Sequence, residues 1–75
     1  MEGWGPDFDI VYLQNDCLMG YMKLKKITPA EASEVFSKYN IFEYIRECYD
    51  YLHLSGTEYI VKDINSRIKR GLRFD

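Results

Sequence analysis

The 75-residue chain is poor in the residues that staple, ligate or catalyse in small domains: it carries two cysteines, one histidine and two prolines. Cys17 and Cys48 have no C-x-x-C spacing and read as two small apolar side chains in a reducing compartment, not as a disulfide or half a metal site. With a single histidine, His53, no imidazole pair exists to hold a metal. No serine or cysteine is placed beside it by a nucleophile motif. Glycine-rich phosphate loops and nucleophile elbows are absent. No apolar run approaches the roughly 18 to 20 residues that cross a bilayer, and Met1 to Pro6 lacks the basic region and apolar core of a secretory signal. Strong charge of either sign is missing too, because the net charge is only -2, far from the basic footprint that nonspecific nucleic-acid affinity needs. These absences lead us to expect a cytoplasmic protein with no catalytic residue, no cofactor, no metal, no membrane span and no nucleic acid as principal partner.

What is present points to a folded helical domain. A hydrophobic fraction of 47% is too high for a disordered chain. No repeat, low-complexity tract or second domain interrupts it. A domain this short buries only roughly 60% of the surface its unfolded chain exposes, so stability is expected to be modest without help. Since disulfides and metals are not indicated, that help would come from self-association or a protein partner. Aromatic residues make up 16% of the chain, seven of them tyrosines, more than so small a core can enclose. Some tyrosines must therefore reach the surface, where binding sites favour them.

The spacing of apolar residues predicts an all-α fold, a single bundle of about four helices over residues 8–25, 29–39, 41–51 and 56–70. Residues 1–7 read as a flexible leader and 71–75 as a tail. In the leader, Trp4 either folds back on the core or anchors a partner. The first helix, capped by Asp7 or Asp9, carries a broad stripe of Ile10, Val11, Leu13, Cys17, Leu18, Tyr21, Met22 and Leu24. Gly20 inside it costs about 1 kcal/mol relative to alanine, a cost that makes sense if another helix must come close. Lys23, Lys25 and Lys26 suit the negative end of the helix dipole. Thr28, Pro29 and Glu31 combine an N-cap, a proline at the first helical position and a capping-box glutamate, with Ile27 as hydrophobic staple. The second helix buries Ala32, Val35 and Phe36. Asn40 reads as both its stop and the N-cap of the third. Gly71 is the expected glycine just beyond the last helix, and Leu72 and Phe74 either tuck back or stay loose.

The stretch Tyr49 to Ile64 (YDYLHLSGTEYIVKDI) organises the rest. Ile41, Ile45, Cys48, Tyr49 and Leu52 make one apolar face before a turn, and Ile60, Val61, Ile64 and Ile68 make another after it. Ser55 followed by Glu58 predicts a second capping box, with Gly56 at the first helical position where the preceding helix passes close by. His53 sits where a helix C-terminus leaves free carbonyls, so a capping and corner-fixing role is expected of it. Tyr49, Leu52, His53, Ser55, Gly56 and Glu58 are thus the structural corner.

For function, the outer face of the third helix is acidic and aromatic. Glu43, Tyr44, Glu47, Asp50 and Tyr51 are the candidate partner-binding residues. Basic residues gather instead at Lys62, Arg67, Lys69, Arg70 and Arg73, mostly as cations matched to a helix C-terminus. Helices two and three, joined at Asn40, also imitate a helix-turn-helix, but the acidic reader would repel phosphates.

The order Tyr49, Leu52, His53, Gly56, Tyr59, Ile60, Val61, Asp63 and Ile64, after the run Ile41 to Ile45, resembles a family of short bacterial proteins of unknown function with the pattern Y-x-x-L-H-x-x-G-x-x-Y-I-V-x-D-I. The likeness covers Phe8 to Arg70. Such proteins are often encoded beside ADP-ribosyltransferase-like toxins, so the resemblance implies a small non-catalytic protein-binding module, an antitoxin-like partner that masks a toxin or enzyme encoded nearby. The alternative left open is a homodimeric structural or DNA-binding regulatory protein.

Overall fold

The computed structural model describes residues 6–74. Five helices follow one another: α1 Pro6–Lys25, α2 Pro29–Lys38, α3 Ile41–Glu47, α4 Tyr49–Leu52 and α5 Thr57–Lys69, and no strand occurs among the described residues. The expected all-α bundle is therefore present. Helix α1 is its spine and packs against α2, α3 and α5. Trp4 lies outside the described residues.

The core is assembled from one stripe of each helix: Cys17 and Tyr21, Ala32 and Phe36, Ile41, Tyr44 and Ile45, Leu52, then Ile60, Val61 and Ile64. Phe36 is fully enclosed, with the Tyr21 and Phe42 rings each 5.3 Å away. Edge and tilted ring contacts of this kind add to the apolar burial. Gly20 answers the expectation placed on it: a Cβ there would stand 2.8 Å from Val61 Cγ2. Its bareness lets α5 lie against α1, and Thr57 Oγ1 donates to Asp16 Oδ2 across the same seam at 3.1 Å.

The start of α2 forms as its sequence requires. Glu31 N–H donates to Thr28 Oγ1 at 3.1 Å, and Thr28 N–H donates to Glu31 Oε1 at 2.9 Å, with Pro29 at the first helical position. At the other end of the chain Gly71 takes φ +70. Leu72 N–H reaches Arg67 O and Gly71 N–H reaches Ile68 O, the paired bonds of a Schellman motif.

Several expectations are corrected. Helix α1 begins at Pro6, so Asp7 and Asp9 lie inside its first turn and neither is its N-cap. Val11 and Leu24, placed on the buried stripe, are 55% and 47% exposed. The predicted third helix is two helices, because Cys48 leaves the helical region at φ -103, ψ 16, ending α3 and starting α4. Asn40 does stop α2, in the left-handed region at φ 56, but its side chain makes no cap bond. Its carboxamide instead donates to Phe74 O at 2.8 Å, while Phe74 N–H donates to Tyr39 O at 3.1 Å. The tail is thus docked on the α2–α3 junction, with Phe74 tucked in and Leu72 exposed.

The predicted Ser55–Glu58 capping box does not form. Ser55 N–H is already committed to Leu52 O at 2.9 Å, which leaves it unavailable to Glu58 and moves the helix start on by one residue. Gly56 is the N-cap of α5, with φ -70 and ψ 151. Nothing lies within 4 Å of where its Cβ would stand, so the close approach expected there is absent.

Candidate functional site: an aromatic hollow at the corner

Three residues one turn apart on α5, Tyr59, Asp63 and Arg67, face the end of α3 and the turn after α4. Tyr44 of α3 donates its hydroxyl hydrogen to Asp63 Oδ2 at 2.7 Å. The Arg67 guanidinium carbon lies 4.4 Å from the Tyr44 ring centroid, and the Phe74 ring meets Tyr44 edge-on at 5.5 Å. Guanidinium over a tyrosine face is an attractive electrostatic contact. Burial, and then the hydrogen bond to Asp63, push the Tyr44 hydroxyl well above its ordinary range, so it remains a proton donor.

Above this bond is a hollow of about 320 Å³, lined by Tyr44, Tyr51, Leu52, Ser55, Tyr59, Ile60 and Asp63. Tyr51 and Tyr59 are each 74% exposed, and Leu54, in the turn between α4 and α5, is 79% exposed. The sequence therefore places two tyrosines in water around a small depression with a carboxylate in its wall, and an exposed leucine in the adjoining turn.

The five candidate partner-binding residues are not brought together. Tyr44 is 8% exposed, which removes it from the set of surface aromatics: its ring completes the α3 stripe and its hydroxyl is held by Asp63, in the wall of the hollow. Tyr51 lines that hollow with it. Glu47 and Asp50 are exposed, as expected, but line a different depression of about 570 Å³ with Asp9, Arg46 and His53. Glu43 is exposed and lines neither.

His53 lies at the C-terminal end of α4. Its Nδ1 lies 2.8 Å from Tyr49 O, a carbonyl of the last turn of α4, and its ring stacks on that of Tyr49 with centroids 4.8 Å apart. Leu52 beneath is buried, while Glu58 is exposed.

Tyr59 and Asp63 were missed as site residues, although their i, i+4 spacing marks one face of a helix. Leu54 carried no signal, since an apolar residue in a turn is expected to point inward.

The two thiols are free. Burial, and secondarily the Asp16 carboxylate, push Cys17 up to about 12, so it is an inert core thiol. Among the described residues no group of three or more histidine, cysteine, aspartate or glutamate side chains could hold a metal ion. No described helix is long and apolar enough to cross a membrane.

No curated protein and no solved structure matches the chain. A family model does, over residues 12–70, a span that includes every residue lining the hollow. The chain belongs to the family described as protein of unknown function DUF3791.

Proposed function

We propose that the chain is a small non-catalytic protein-binding module of the cytoplasm, an antitoxin-like partner that covers a groove on a toxin or enzyme encoded beside it. The observation that carries this reading is the exposure of Tyr51, Leu54 and Tyr59, at 74%, 79% and 74%. Large apolar and aromatic side chains held in water at one corner gain stability when a partner covers them, and tyrosine anchors binding surfaces out of proportion to its number. The exposed Glu47 and Asp50 nearby in the chain supply acidic charge that steers a basic partner. The resemblance of the corner pattern to proteins encoded beside ADP-ribosyltransferase-like toxins supports a partner of that kind.

The competing reading is a homodimeric structural or DNA-binding regulatory protein using the basic end of α5. One of its cations, the half-buried Arg67, is already engaged over the Tyr44 ring. Helix α3 exposes Glu43 and Glu47, which repel phosphate.

Co-expression with the product of the adjacent gene, followed by purification through a tag on this chain, tests the proposal. The neighbour is expected to be retained by the native chain and released by the double variant Tyr51→Ala, Tyr59→Ala. A neighbour that flows through while the native chain is folded overturns it.

A further inference from the structure

We propose that the corner hollow is a receptor for one arginine side chain of a protein partner, an inference that rests on the protein-binding reading above and names the chemistry of the contact. Two exposed tyrosines, Tyr51 and Tyr59, line the hollow, and tyrosine ring faces attract cations. The Asp63 carboxylate stands in the same wall. The one side-chain hydrogen bond it makes among the described residues comes from the neutral Tyr44 hydroxyl, to Oδ2. Its second oxygen is left for an incoming donor. Arg67, one turn beyond Asp63 on α5, is placed over the Tyr44 ring and does not line the hollow. The hollow thus presents aromatic rings and a negative charge without a cation of its own.

Size and geometry select the ligand. A volume of about 320 Å³ is at the bottom of the range for small-molecule sites, which leaves room for one side chain. A guanidinium is planar, weakly hydrated and forked, so it stacks against a tyrosine while donating to a carboxylate at its edge. The Tyr44–Asp63 bond orients that carboxylate before the ligand arrives, which lowers the ordering cost of binding.

The test titrates the full chain with N-acetyl-arginine amide and, separately, with its neutral isostere N-acetyl-citrulline amide, following the tyrosine ring resonances by NMR. The arginine probe is expected to shift the Tyr51 and Tyr59 resonances saturably, with a dissociation constant on the order of 1–10 mM. Citrulline should leave them in place. In Asp63→Asn the new carboxamide oxygen still accepts from Tyr44, so the fold is kept while the charge is removed. Arginine affinity should then fall roughly tenfold, and Tyr59→Leu, at a site in water, should weaken it similarly. Shifts that fail to saturate, that citrulline reproduces, or that persist unchanged in Asp63→Asn overturn the proposal. Capture of the neighbouring gene product separates the two levels. Capture that survives Asp63→Asn at full affinity but is lost with Tyr51→Ala, Tyr59→Ala leaves the protein-binding reading standing and overturns the arginine receptor. Saturable, Asp63-dependent arginine binding without any capture supports the receptor and overturns the proposed partner.

Discussion

The Tyr44 hydroxyl donates to Asp63 Oδ2 across 2.7 Å, tying α3 to α5 between residues nineteen apart in sequence. One side of this bond is the core, where the Tyr44 ring meets Phe74 and Arg67. The other is the wall of the aromatic hollow. Stability and the geometry of the surface are coupled through this pair.

Tyr44→Phe keeps the ring and removes the bond. Because Asp63 is exposed and can turn to water, the expected loss is only about 1 kcal/mol, measurable as a lower denaturation midpoint with unchanged slope. Tyr44→Ala also opens a cavity and should cost about 3–5 kcal/mol. Equal effects of the two variants would mean that the ring contributes nothing to packing.

Raised acidities make the protein sensitive to alkali. Tyr44, Tyr21 and Cys17 are all pushed up, chiefly by burial. Each binds its proton more tightly folded than unfolded, so its contribution is complete below the unfolded value and is lost as pH rises toward the folded one. Stability should therefore be flat in these groups near neutrality and fall from about pH 9–10 upward. Tyr44→Phe should make that fall shallower. A Tyr44→Phe denaturation series as steep as the native one between pH 9 and 11 would contradict the assignment.

Gly20→Ala sets two effects against each other. Alanine gains about 1 kcal/mol of helix propensity, but its Cβ would stand 2.8 Å from Val61 Cγ2, on a short, stiff side chain. Overpacking of this kind costs about 1–3 kcal/mol, so net destabilisation is expected. Adding Val61→Ala removes the obstructing methyl, and the double variant should be less destabilised than the sum of the singles. Additive losses would show that the seam yields elsewhere.

His53→Ala removes a ring stacked on Tyr49 and a donor to Tyr49 O. Both contacts are at the surface, and the expected loss is about 0.5–1 kcal/mol, or roughly 2–8 °C in Tm for a domain of this size. Partner affinity of the folded variant should stay within a few-fold of the native chain. A large affinity loss at unchanged Tm would make His53 a contact residue.

Much of this architecture is written locally in the chain. Thr28, Pro29 and Glu31 agree on one helix start, and all three play their parts. Gly20 and Gly71 are glycines with a reason, a close approach in one case and a left-handed backbone in the other. What stays hidden depends on distant partners or single-residue competitions. Ser55 looks like a cap until its N–H is taken by Leu52 O. The division at Cys48 has neither glycine nor proline to announce it. Tyr44 completes the stripe of Ile41 and Ile45, yet its hydroxyl argues for the surface until Asp63 is seen to accept from it. The docking of Phe74 rests on Asn40, thirty-four residues away. Exposure of Tyr51 was expected, but its company with Tyr59 and Asp63 arises only when α4 and α5 turn toward each other.

The most direct test of the protein-binding claim is the light-scattering mass of the purified chain alone and after co-expression with the product of its adjacent gene. The account predicts one stable joint peak whose mass is the sum of the two chains, and its loss in the Tyr51→Ala, Tyr59→Ala variant. A native chain that runs at the same mass with and without its neighbour, whether as monomer or homodimer, would contradict it.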